Sequence, residues 1–110
     1  TDGNYGGTIQ LVSRGKTLVD GGLVLETGSG GRARFEYHVV PRVTNTHDLG
    51  STSLRWRNVY TNDLNLSNEG STNSVDNTWG NYTIQEGESD LFLINNRSGK
   101  KYKFNLTEVS

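Results

Sequence analysis

Apolar and polar residues alternate along much of the chain, and this period of two is typical of β-strands with one buried face. The clearest alternating run is residues 32–40. Its apolar face is formed by Ala33, Phe35, Tyr37 and Val39. Pro41 has no amide hydrogen to donate to a strand ladder, so we predict that this strand ends there. Shorter runs predict strands nearer the N-terminus, at residues 8–13, 17–19 and 23–27.

The C-terminal part of the chain predicts a β-hairpin. Residues 91–95 and 101–107 form its strands, and residues 96–100 join them with Gly99 at a position that suits a positive φ. Tyr102, Phe104 and Leu106 share one face of the second strand, while Lys101 and Lys103 lie on the other. Residues 61–67 and 79–85 predict two further strands.

No segment predicts a helix longer than about two turns. We therefore expect an all-β chain of small antiparallel sheets and hairpins. Its predicted organisation is an N-terminal sheet segment at residues 1–47, a central module at 48–67, a polar linker without periodicity at 68–78, and a hairpin module at 79–110.

The central module contains DLGSTSLRWRNVY at residues 48–60. Gly50 ends an extended run, and Ser51 or Ser53 is placed to cap a short helical piece. Leu54, Trp56, Val59 and Tyr60 supply most of the large apolar surface in the middle of the chain. A segment this short cannot bury a tryptophan against itself. We expect it to dock on a sheet from elsewhere in the chain or on copies of itself.

The composition leaves little material for a core. Hydrophobic residues make up 31% of the 110 residues, whereas about 45–50% apolar residues are usual in globular domains. Fourteen glycines and a single proline suit many tight turns. Either the loops are long or part of the core is shared between subunits.

Charge and cysteine content exclude several classes of partner. The net charge of −1 comes without a basic stripe, so we expect no nucleic acid partner. No apolar run approaches the eighteen or so residues of a membrane span. Cysteine is absent, which excludes disulfides and a cysteine-based zinc site. Methionine is absent too, so we expect a processed chain or a piece of a longer protein.

Candidate catalytic and metal-binding residues are sparse. His38 and His47 are the only histidines, and neither stands in a pattern that activates a nucleophile. Residues 63–65 open like a calcium loop, but Asn68 stands where the glycine is needed and Ser74 where the glutamate is needed. We predict no catalytic, cofactor or metal site, and hence no enzyme.

Four asparagines begin Asn-x-Ser/Thr sequences: Asn65, Asn81, Asn96 and Asn105. These are potential glycosylation acceptors. Because the chain has no cysteine and no visible secretory signal, we interpret them as chance products of a composition rich in asparagine and threonine.

The central module resembles one that recurs in bacteriophage tail fibres and tailspikes. The matching residues are Asp48, Leu49, Gly50, Ser51, Ser53, Arg55, Trp56, Asn58, Val59 and Tyr60. Residues 78–109 also resemble the closing module of phage tail structural proteins. The resemblance implies a virion structural protein located in the tail, a homotrimer within an elongated fibre, and a role in host attachment. Other tail proteins and a host-surface polysaccharide or receptor are the implied partners.

The sequence departs from that module after Tyr60. In the related phage chaperone domains an acidic and basic stretch similar to SDERLK leads to a self-cleaving Ser–Lys pair, whereas this chain continues TNDLNLSNEG. We therefore do not expect the self-cleaving chaperone within this chain.

Eight residues are predicted to lie in the core or in a trimer interface: Leu49, Leu54, Trp56, Val59, Tyr60, Tyr102, Phe104 and Leu106. Two alternative functions remain open. A monomeric carbohydrate-binding module would stack sugars on Trp56, Trp79 and the tyrosines, and a fragment of a tailspike depolymerase would belong to an enzyme.

Overall fold

The structure is a computed structural model that describes residues 32–110. The chain divides into two units between His47 and Asp48. All four strands of the described residues lie in the second unit: β1 (Leu64–Ser67), β2 (Asn81–Glu86), β3 (Leu91–Asn95) and β4 (Lys101–Lys103). Residues 32–110 contain no helix. The described part of the chain is therefore all-β, as the alternation predicts.

The four strands form one antiparallel sheet in which each strand pairs with the next along the chain. Leu64 lies opposite Ile84 in the β1–β2 pair, and Ile84 lies opposite Leu93 in the β2–β3 pair. Leu93 in turn lies opposite Tyr102 of β4. This register aligns a row of apolar side chains across the whole sheet.

Because side chains alternate along each strand, the register sorts the sheet into two faces of different chemistry. One face, called the apolar face below, carries the apolar side chains of Leu64, Leu66, Tyr82, Ile84, Leu91, Leu93 and Tyr102, together with Glu86 and Asn95 at the ends of β2 and β3. The opposite face is mostly polar. Its members are Asn65, Ser67, Asn81, Thr83, Gln85, Phe92, Ile94, Lys101 and Lys103.

Within residues 32–110 no hydrophobic side chain is buried. The only buried residue among them is Thr83, which is 7% exposed and lies on the polar face. Leu64, Leu66 and Tyr102 of the apolar face are each about half exposed. Among the described residues, the low apolar content thus appears as a sheet whose apolar face is not covered by any of residues 32–110.

Two of the strand predictions are confirmed closely. The predicted strand 91–95 has the bounds of β3, and the predicted loop follows it with Gly99 at φ 77°. The predicted strand 79–85 begins two residues late, because the amide of Gly80 and the carbonyl of Trp79 bond to the side chains of Asn68 and Arg97 instead of to a strand.

Three local predictions are wrong. Residues 32–40 form no strand and are exposed, because alternation supplies a face but no partner for the ladder. Residues 52–54 form bends rather than a helical piece. The predicted strand 101–107 ends at Lys103, since one further backbone bond, from Phe104 to Leu91, already reaches the first residue of β3.

The predicted strands at 8–13, 17–19 and 23–27 lie outside the described residues. Among residues 32–110 the structure has no helix of the length and hydrophobicity that crossing a membrane would require.

Candidate functional site

A hydrogen-bonded row of polar side chains crosses the polar face at Thr83. The hydroxyl of Thr83 donates to Asn65 Oδ1 at 2.7 Å and accepts from Asn96 Nδ2 at 2.9 Å. Asn96 Nδ2 also donates to Asn81 Oδ1 at 2.9 Å, and the Asn96 amide donates to the Asn81 carbonyl. This row ties β1, β2 and the β3–β4 loop together where an apolar core would otherwise do so.

Three of the four Asn-x-Ser/Thr asparagines belong to this row. Asn65, Asn81 and Asn96 each use the side-chain amide in a hydrogen bond to another element. Two of these sequences begin in neighbouring strands, at Asn65 of β1 and Asn81 of β2, and the third begins in the turn after β3. This spacing was the signal for the row, and a composition argument misses it. The amide nitrogen of Asn96 donates twice, and a glycan would replace one of its two hydrogens, so glycosylation would break at least one of these bonds.

The connection between β1 and β2 is organised by the side chain of Asn73. Asn73 Oδ1 accepts from the amides of Val75 and Asp76 at 2.7 and 2.9 Å. Asn73 Nδ2 donates to the carbonyl of Thr78 at 2.9 Å, and the Asn73 amide donates to the same carbonyl. The polar linker predicted at residues 68–78 is therefore a turn structure with its own hydrogen bonds.

Asp76 is fixed within this turn by one oxygen of its carboxylate. Asp76 Oδ1 accepts from the Thr78 hydroxyl at 2.7 Å, from Asn73 Nδ2 at 2.8 Å and from the Thr78 amide at 3.2 Å. Hydrogen bonds from the Thr78 and Asn73 side chains stabilise the ionised carboxylate, so they lower the pKa of Asp76 below its ordinary value. Within residues 32–110 the second oxygen, Oδ2, accepts no hydrogen bond.

Two aromatic rings stand beside this turn, and each is held in place. The guanidinium of Arg97 lies 3.8 Å from the centre of the Trp79 ring, and Arg97 Nη1 donates to the Trp79 carbonyl at 3.0 Å. The Tyr82 ring lies over Gly80, where a Cβ atom would stand 2.9 Å from Tyr82 Cε2. The absence of a side chain at Gly80 is what lets this ring lie against the backbone.

These groups line a surface depression of about 350 Å³ at the end of the sheet. Its walls carry the aromatic rings of Trp79 and Tyr82, the side chain of Leu66, and the polar groups of Asn73, Asp76 and Thr78. The depression thus combines two aromatic rings with a fixed carboxylate. We refer to it below as the Trp79 depression.

The residues predicted for a core or trimer interface are largely exposed in the single chain. Trp56 is 65% exposed and Tyr60 91% exposed. The others that are exposed are Leu49, Leu54, Val59, Tyr102 and Leu106, while Phe104 is half-buried. These residues form no core within one chain. Their burial between chains stays a prediction.

The central module is shaped by a local turn at Ser51. Leu54 N donates to Ser51 Oγ at 3.0 Å, and Ser51 N donates to the Leu54 carbonyl at 2.9 Å. Ser51 thus accepts the capping bond expected of it, although no helix follows. Gly50 has φ 84°, and a Cβ atom there would stand 3.4 Å from Trp56 Cδ1. The Trp56 ring therefore packs against the Gly50 backbone while most of its surface remains exposed.

Residues 32–110 contain no group of three acidic or histidine side chains able to hold a metal ion. His38 and His47 are both exposed.

The chain matches no family model, no curated protein and no solved structure.

Proposed function

We propose that the chain is a segment of a bacteriophage tail fibre or a similar virion appendage, in which three copies associate and cover one another's apolar surface. Its role is to build a rigid β structure that carries host attachment. The observation that carries this proposal is that residues 32–110 leave the apolar face uncovered and bury no hydrophobic side chain.

The chemistry of the apolar face favours association with other copies. Its central positions, Leu64, Ile84, Leu93 and Tyr102, carry no charge, and they run in one row across all four strands. Exposed apolar patches of this kind mark sites of protein association in soluble proteins. The same face of the sheet in a second and a third copy supplies a matching apolar surface. Closed association of three copies therefore removes all three apolar faces from water.

The two lysines of β4 support the same orientation. Lys101 and Lys103 both extend from the polar face of β4 and are exposed. Lysines on an edge strand discourage pairing of that edge with another sheet. Association through the apolar face keeps both lysines in water, whereas association through the polar face would bury them without partners.

The resemblance of residues 48–60 to the phage module supports the virion assignment and the number three. Trp56, Tyr60 and Leu54 are exposed in the single chain. Residues that become buried between copies are expected to be exposed in this way before assembly. We propose a mechanical and adhesive role rather than catalysis, with other tail proteins as neighbours.

Electron microscopy of the complete gene product that contains this chain tests the proposal. We expect elongated particles of constant width, with three-fold symmetry in end-on views. A monomeric carbohydrate-binding module would instead give small isolated particles, and a depolymerase would release new reducing or unsaturated ends from host polysaccharide. Either of those two results would contradict the proposal.

A further inference from the structure

We propose that the Trp79 depression is a binding site for a neutral saccharide. A pyranose ring has one apolar surface of C–H groups and a rim of hydroxyls. The depression offers an aromatic wall against which the C–H surface can pack, and fixed hydrogen-bond acceptors for the hydroxyls. This inference rests on the geometry of one chain and stands apart from the proposed assembly.

The aromatic wall is held ready for a ligand. Arg97 covers one face of the Trp79 ring at 3.8 Å and is itself bonded to the Trp79 carbonyl. Tyr82 lies over Gly80, and its hydroxyl accepts from Asn95 Nδ2 at 3.4 Å. Rings fixed in this way lose little conformational freedom when a ligand packs on them, so more of the contact energy appears as affinity.

The polar wall presents a carboxylate oxygen, Oδ2 of Asp76, to which no residue among 32–110 donates. All three hydrogen bonds that Asp76 accepts within residues 32–110 go to Oδ1. They fix the orientation of the carboxylate and leave Oδ2 without a partner among these residues. An ionised carboxylate oxygen accepts hydrogen bonds and donates none. The ligand must therefore bring donors, as the hydroxyls of a sugar do.

The charge of the lining decides between classes of saccharide. Asp76 is the only charged side chain among the described residues that line the depression. The guanidinium of Arg97 stacks on the Trp79 ring and is not part of the lining. The one charge of the lining is therefore negative, and it disfavours phosphate, sulfate and acidic sugars. The polar groups of Asn73, Asp76 and Thr78 in the wall disfavour a purely apolar ligand. A neutral hexose or N-acetylhexosamine fits both conditions.

The depression overlaps only one end of the apolar face. Leu66 and Tyr82 are the apolar-face residues nearest the β1–β2 connection, and the other walls come from that connection. The site therefore lies at the end of the strands and beyond the central row Leu64, Ile84, Leu93 and Tyr102.

Nuclear magnetic resonance titration of the full chain tests the site. The probes are the methyl glycosides of glucose, galactose, mannose and N-acetylglucosamine, with N-acetylneuraminic acid as the acidic comparison. For at least one neutral probe we expect a dissociation constant on the order of 1 mM. The indole N–H signal of Trp79 and the amide signals of residues 73–78 should shift, and the indole signal of Trp56 should stay in place.

Two substitutions identify the acceptor. Asp76→Asn keeps the oxygen that bonds to Thr78 and replaces the free oxygen with a donor, so we expect binding at least tenfold weaker. Asp90→Asn makes the same chemical change in a different turn and should leave binding unaltered. Trp79→Ala should abolish the ligand-induced shifts of the amide signals of residues 73–78. Circular dichroism checks that each variant is folded.

Three results would overturn the inference. The first is that no neutral probe shifts the Trp79 signal at a probe concentration 50-fold above the expected dissociation constant. The second is that the Asp76→Asn variant binds as well as the unaltered chain. The third is that N-acetylneuraminic acid binds more tightly than every neutral probe. These results concern ligand binding and not the mass of the chain in solution, so the site can fail while the proposed assembly stands.

Discussion

Thr83 shows most clearly how single residues hold this sheet together. It is buried, and its hydroxyl is the shared partner of Asn65 and Asn96. A buried hydroxyl with two hydrogen bonds stabilises the fold mainly because its loss leaves the two partners unsatisfied. Because the described residues contain no apolar core, we expect substitution of Thr83 to lower the stability of the fold more than substitution of other residues of the sheet.

Replacing that hydroxyl with a methyl group tests the role of the row. Thr83→Val keeps the shape and the strand propensity, and it removes both hydrogen bonds. We expect the free energy of unfolding in urea to fall by about 1–2 kcal/mol. Thr107→Val is the matched control, because Thr107 is exposed and outside the strands, and it should change stability by less than about 0.5 kcal/mol. Equal effects at the two positions would contradict the account of the row.

The ionisation of Asp76 gives a prediction in pH. The Thr78 and Asn73 hydrogen bonds lower the pKa of Asp76 below the ordinary 3.8. A lowered pKa in the folded state means that the contribution to stability is present above the ordinary value and is lost as the pH falls through the folded pKa. We therefore expect the turn at residues 73–78 to keep its structure at pH 5 and to loosen well below pH 3.8.

The measurement is an NMR titration that follows the Asp76 carboxyl carbon and the amides of Val75 and Thr78. A midpoint below 3.8 shared by all three signals is the expected result. Asp76→Asn should remove that transition from the two amides. A midpoint at or above 3.8 would show that these hydrogen bonds do not stabilise the ionised form.

Little of this residue-scale detail follows from the sequence. Asn73 and Asp76 stand in a stretch without periodicity, where a pattern argument finds only a polar linker. Their role depends on which backbone amides the turn brings within hydrogen-bond distance of their side chains. The spacing of residues in the sequence does not predict those amides. The bond to Ser51 Oγ was predictable because a capping serine acts on an amide three residues away.

At the scale of strands and loops, the sequence was a good guide wherever two alternating runs were joined by a short connection. Gly99 with its positive φ fixes the β3–β4 loop, and the register that results places Leu93 opposite Tyr102. Residues 32–40 alternate just as well and form no strand. Alternation describes the faces that a strand would have, whereas a strand also needs a partner for its backbone, and the local sequence does not name one.

Exposure of the apolar face gives a prediction for the element β3. Leu93 lies at the centre of this face, between Ile84 and Tyr102. Leu93→Glu places a charge where copies are proposed to pack, and an unpaired buried charge costs several kcal/mol. We expect this variant to be dissociated in sedimentation experiments under conditions in which the unaltered chain is associated.

Lys101→Glu is the control for that experiment. Lys101 is exposed on the polar face of the neighbouring strand, and its substitution makes a larger change in charge than Leu93→Glu does. The variant should associate like the unaltered chain. Dissociation of Lys101→Glu, or full association of Leu93→Glu, would place the contact somewhere other than the apolar face.

At the scale of the whole molecule, the described residues are a sheet and a set of turns without a core. Four antiparallel strands with one apolar face are close to the least that is stable alone, and such a face is normally packed against another layer. The low hydrophobic content predicted this shortage of core. The hydrophobic content did not predict that the most buried of the described residues would be a threonine, because the burial of Thr83 follows from the hydrogen bonds around it.

The most direct test of the account is the mass of the folded chain in solution, measured by multi-angle light scattering over a hundredfold range of concentration, with thermal unfolding followed on the same samples. The account predicts about three times the chain mass of 12.1 kDa. It also predicts a melting temperature that rises with concentration, because folding and association are then coupled. A single-chain mass at every concentration, with cooperative unfolding at a constant melting temperature, would contradict it.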